Sequence, residues 1–152
     1  MSFDARLTEL QLQLPTPPTP MATYTSALRI GDLLYLSGSG PLRPEGGYVT
    51  GRLGADLDVA AGQAAARLAG LAILATLRAQ LGSLDRVARL VKVLGFVSAT
   101  PEFTEHPKVI NGFSDLMVQL FGDAGLGARS AVGVTSLPSG IAVEIEAIFQ
   151  LR

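Results

Sequence analysis

The chain has 152 residues, 48% hydrophobic and only 16% charged, with Lys+Arg 12 against Asp+Glu 13 and a net charge of −1. That length is one domain's worth, and its charges fall below the roughly 25% of an average soluble protein, so some apolar surface is expected to face another subunit. The missing basic excess argues against a nucleic-acid partner, whose phosphates supply most of the affinity, and zero cysteines rule out disulfides, Cys-ligated metals and thiol nucleophiles.

Phe3, Leu7 and Leu10 recur at spacings of three and four, which predicts a short helix over residues 2–12. The start, Met1 to Arg6, lacks the charged-then-apolar layout of a signal peptide, so the expected location is the cytoplasm. Pro15-Thr16-Pro17-Pro18-Thr19-Pro20 stops the helix, either as a rigid spacer or as a ligand for an SH3-type groove. Residues 1–23 thus read as an extension ahead of a main domain over 24–152.

From Tyr24 the pattern turns to strands. Segments 26–30 and 33–37 flank Gly31-Asp32, a two-residue turn of the hairpin kind, and Ser37-Gly38-Ser39-Gly40-Pro41 ends the second strand. Residues 58–80 predict the longest helix, with a stripe of Leu68, Leu71, Ala72, Ala75 and Leu81, a cap at Asp56 or Asp58, and a stop at Gly82. Its most apolar run, Leu68 to Leu77, is short of the about 20 residues a bilayer span needs. Strand 87–98 is apolar on both faces and must be covered on both: by helices on one side, by a neighbouring subunit on the other. A second helical region opens at Pro101, restarts at Pro107 and runs to Gly122, followed by strands 128–135 and 141–151 joined through Leu137-Pro138-Ser139-Gly140. The order predicts an α+β fold, with helices packed on one face of a mixed sheet.

Alternation in the last strand puts Ile141, Val143, Ile145, Ala147, Phe149 and Leu151 on one face and Glu144 and Glu146 on the other. If the two last strands form a hairpin with Val132 and Val134 on the apolar face, Arg129 lies across from Glu144 or Glu146, turned away from the helices. An arginine fork takes a carboxylate in two hydrogen bonds, and a nearby glutamate can position or deprotonate water. The alternative is a cross-strand ion pair on a solvated face. His106, the only histidine, lies at a helix junction without a G-x-S-x-G motif and reads as a loop or capping residue. No cluster has metal-ligand spacing, and Gly38-Ser39-Gly40 alone is a weak anion cradle.

At these residues the chain resembles a known family. Ala128-Arg129-Ser130-Ala131-Val132, Leu137-Pro138 and Val143-Glu144-Ile145-Glu146-Ala147-Ile148 are similar to the C-terminal signature of the RidA superfamily of enamine/imine deaminases. Leu36-Ser37-Gly38-Ser39-Gly40-Pro41 matches its serine-glycine strand end, Tyr24 its usual tyrosine, and Gly95-Phe96-Val97 and Asn111 fall at its middle strand and second helix. The proline-rich start resembles that of a longer subgroup. The resemblance implies a chorismate-mutase-like fold, a homotrimer with a central β-barrel, and three inter-subunit clefts. In each cleft Arg129 would grip the carboxylate of a 2-imino acid and Glu144 the attacking water, releasing ammonia and a 2-oxo acid without metal or cofactor. Tyr24, Ser37, Gly38, Ser39, Phe96, Asn111 and Ala131 would line the ligand, with Ala131 standing where the family often has cysteine. A binding protein that holds a small carboxylate without turnover is the competing expectation; an RNase fits the net charge poorly.

Overall fold

Two long helices lie against one face of a five-stranded sheet in the computed structural model, which describes residues 2–152. In chain order the elements are α1 (Phe3–Glu9), β1 (Ala27–Ile30), β2 (Leu33–Ser39), α2 (Val59–Leu81), β3 (Val87–Ser98), α3 (His106–Phe121), β4 (Ala128–Val134) and β5 (Val143–Leu151). Asp58 caps α2 by accepting from the Ala61 amide, and Gly82 in a left-handed conformation closes it. The buried side of α2 is Ala65, Ala66, Ala69, Ile73, Leu74 and Leu77; Leu68 and Leu71, expected on the core stripe, are only half-buried. With its 23 residues, α2 is long and apolar enough to cross a membrane, more than the ten-residue run suggested, and 56% of its most apolar window is buried within this fold. The second helical region also differs: Pro101 sits in a turn, and the helix begins only at His106, with Pro107 in its first turn.

The sheet order is β1-β2-β5-β3-β4. β1 and β2 form the expected hairpin, but β4 and β5 do not pair. β3 lies between them, antiparallel to β5 and parallel to β4, because α3 carries the chain back before β4 begins. Sequence proximity favours a hairpin; here the eight residues from Thr135 to Ala142 cross over β3 instead. Register shifts between Val87 and Arg89 and between Leu90 and Lys92 change which residues of β3 face the core. Leu90, Val93 and Val97 point to the helices, and Leu94 and Phe96 to the other face.

Among the described residues, no helix covers that other face. Leu28 is 54% exposed, Ile30 62%, Tyr35 40% and Val132 42%, a spread of large apolar side chains across three strands. α1 instead docks at the far end of the helical layer. Leu7 is buried, the Phe3 and Phe121 rings meet edge-on at 4.9 Å, and Asp4 accepts hydrogen bonds from the Ser83 hydroxyl and the Leu84 amide. Ser2 Oγ donates to Asp85 at 2.7 Å, the main reason the Asp85 carboxyl is held below its ordinary pKa.

Candidate functional site

Arg129 pairs in register with Val93, whose side chain is buried under the helices, so Arg129 points to the helical side of the sheet. The expected face is therefore reversed. Its Nη1 donates to Asn111 Oδ1 at 2.9 Å and to Ser114 Oγ at 3.1 Å, and its Nη2 donates to the Pro107 carbonyl at 3.3 Å. Those bonds use three of five guanidinium hydrogens. The Nε hydrogen and one Nη2 hydrogen have no partner among the described residues, and a cavity of about 260 Å³ opens beside the group between α3, β3 and Gly127. Asn111 and Ser114 lie one turn apart on α3 and hold the fork in a single orientation.

Glu144 lies on the open face. It pairs across the sheet with Phe96, and Phe96 pairs with Val132, so the three form one row. A register shift in β2 between Leu36 and Ser39 brings Gly38 under the glutamate: a Cβ at Gly38 would lie 2.9 Å from Glu144 Cδ. Only glycine leaves that space. Burial, and secondarily the Glu146 charge, raise the Glu144 pKa above the ordinary carboxyl value. Beside it is a cavity of about 470 Å³ walled by Tyr24, Tyr48, Ser139 and Ile141, with Gly38 at its floor.

The site residues fall into two groups. Arg129 and Asn111 form one; Tyr24, Ser37, Gly38 and Glu144 form the other, with Phe96 adjoining Glu144. Within one chain the groups are separate. With β3 between them, the backbones of β4 and β5 are about 10 Å apart, and Arg129 and Glu144 leave opposite faces. Ser37 Oγ donates to the Thr25 carbonyl at 2.6 Å, which ties the strand end to the segment carrying Tyr24. Ser39 pairs with Ile145 and lines a separate small pocket with Thr76. Ala131, expected to line the ligand, shares the helical side with Arg129 and packs on the core, on the opposite face from Glu144. His106 stacks edge-on against Phe103 at 5.4 Å, with Nε2 over Gly133. The described residues hold no group of three His, Cys, Asp or Glu arranged for a metal ion.

Ser114, Tyr48 and Met21 were not legible as site residues. Ser114 could have been found from its spacing of three from Asn111 on one helix. Tyr48 and Met21 sit in loops, and no periodicity ties either to Glu144.

Residues 4–143 match a family profile described as "YjgF/chorismate_mutase-like, putative endoribonuclease". Protein TCP17 of Trypanosoma cruzi is 46% identical over 149 residues, covering 97% of this chain and 93% of that one. The crystal structure of Atu1372 from Agrobacterium tumefaciens, of unknown function, superposes with a TM-score of 0.90 at 42% identity over 99% of this chain and 94% of that chain. RidA from the Antarctic bacterium Psychrobacter gives a TM-score of 0.64 at 27% identity, over 91% and 97% of the two chains.

Proposed function

This chain belongs to the YjgF/RidA family of α+β, chorismate-mutase-like proteins, and from that premise we propose that it hydrolyses small 2-imino acids and their enamine tautomers. The observation that carries the reading is Arg129. Its fork is oriented by Asn111, Ser114 and the Pro107 carbonyl, and it keeps two hydrogens for a ligand carboxylate beside an open cavity. Glu144, half-buried and with its pKa raised by that burial, is a better proton acceptor for water than an ordinary carboxylate.

One chain separates the two groups, so the reading requires a second copy. In the proposed homotrimer the open sheet faces turn inward as a barrel, covering Leu28, Ile30, Tyr35 and Val132, and a cleft between copies sets Arg129 of one beside Glu144 of another. Water adds to the C=N carbon as Glu144 accepts its proton. Glu144 returns that proton to the nitrogen, giving a carbinolamine; the remaining hydroxyl proton then passes by way of Glu144 to the nitrogen as the C–N bond breaks, so ammonia leaves and a 2-oxo acid remains. An imine needs no strong nucleophile, so orientation and charge placement supply the acceleration. The net charge of −1 gives no basic footprint for the endoribonuclease activity in the family's description.

The second reading is a carboxylate-binding protein without turnover, favoured by Ala131 where the family often carries cysteine. Generating 2-iminopropanoate in situ and following 2-oxo acid release above the spontaneous rate separates the two. Deamination predicts an excess that Arg129→Ala and Glu144→Ala both abolish. No excess in the wild type, with carboxylate binding that Arg129→Ala removes, supports the second reading. Arg129→Lys is expected to weaken carboxylate binding about tenfold, because a single ammonium cannot reproduce the two-pronged contact.

A further inference from the structure

We propose that the cavity beside Glu144 is a specificity pocket, closed on one side by the N-terminal segment at Met21, that accepts an uncharged branched or aromatic side chain of the substrate. The proposal rests on the assignment of Glu144 to the reacting end of the ligand and names what the rest of that ligand must be.

Size comes first. About 470 Å³ exceeds what a methyl group would fill and falls within the range of small-molecule sites. Its charge pattern is equally selective. Besides two tyrosine phenols, Glu144 is the sole ionisable group among the described residues lining it, and Glu146 lies two residues along the same strand face. With Arg129 of the other copy engaged by the first carboxylate, a second carboxylate on the substrate would meet like charge. The walls are Met21, Tyr24, Tyr48 and Ile141, with Ser139 at the turn before β5. Ser139 holds a left-handed backbone (φ 57°), a conformation non-glycine residues seldom adopt and one that recurs at ligand sites.

The N-terminal wall is held in place. Docking of α1 on Leu84 and Asp85 pins the start of the chain, and the prolines from Pro15 to Pro20 make the link to Met21 extended and stiff. Met21 nevertheless remains 86% exposed and Tyr24 51%, both beside the cavity. A large apolar ligand group entering there would cover them, and the unbranched thioether adapts to branched or flat shapes.

The test is titration calorimetry with 2-oxo acids, which keep the carboxylate and side chain but cannot be deaminated. The wild type should bind 4-methyl-2-oxopentanoate about tenfold more tightly than pyruvate, the extra methyl and methylene groups being buried. Met21→Ala and Tyr48→Ala should each reduce that ratio to about threefold or less, and Met21→Lys should shift preference toward 2-oxoglutarate by placing a cation at the rim. Equal wild-type affinity for the small and large acids overturns the proposal, as does a preference that survives both alanine variants. Imine hydrolysis with no side-chain preference removes the pocket alone. A side-chain preference with no imine hydrolysis removes the deaminase and leaves the pocket. If no 2-oxo acid binds and no imine is hydrolysed, both fall.

Discussion

Glu144 shows how a single group couples stability to pH. Burial first, and Glu146 second, disfavour its ionised form, so the folded pKa lies above the ordinary value of 4.5. Between the unfolded and folded values the native state holds the extra proton, and stability falls as pH rises through that window. Above the folded pKa the cost is constant. Glu144→Gln removes it, so the variant's melting temperature relative to wild type should rise as the pH climbs above the ordinary value of 4.5 and level off above the folded pKa. A difference that stays flat across that range would mean the carboxyl is not desolvated. Glu144 was legible because alternation in β5 is unbroken. Arg129 was legible as a residue but not as a direction: one position of strand parity exchanges the two faces, and that parity came from pairing with β3.

At the scale of elements, the crossing of α2 and α3 places the helix that holds Arg129. A Cβ added at Gly112 would lie 2.0 Å from the Gln63 carbonyl oxygen, so the two backbones are in direct contact there. Gly112 precedes Phe113 and follows Asn111 on α3. Gly112→Ala sets two effects against each other. Helix propensity favours alanine by about 1 kcal/mol, while a clash with backbone forces the helices apart at a cost of about 1–3 kcal/mol or more. The steric cost should win, lowering the urea midpoint and loosening Arg129's contact with Asn111. A midpoint that rises instead would show that the helices separate freely. Helix limits were largely readable, since Asp58 and Gly82 bracket α2 as expected. The crossing was not, because glycine at a close approach resembles glycine anywhere else.

The whole molecule presents an apolar sheet face without cover and two sheet edges, at β1 and β4, without partners among the described residues. Exposed edges and apolar patches of that kind favour association. Sedimentation at micromolar concentration should show a species near three times 15.8 kDa and little of the single chain. A lone 15.8 kDa species would remove the shared cleft.

Local periodicity determined the α+β class, the strands and helices in order, the two-sided apolar character of β3 and the alternating glutamates of β5. Those features depend on residues a few positions apart, where 2.0 and 3.6 residue repeats speak directly. Tertiary structure decided that β3 separates β4 from β5, that Arg129 faces the helices, and that Met21 and Tyr48 line one cavity with Glu144. Strand order and loop placement arise from contacts between distant segments, whose energies depend on how whole faces fit together and leave no period in the chain.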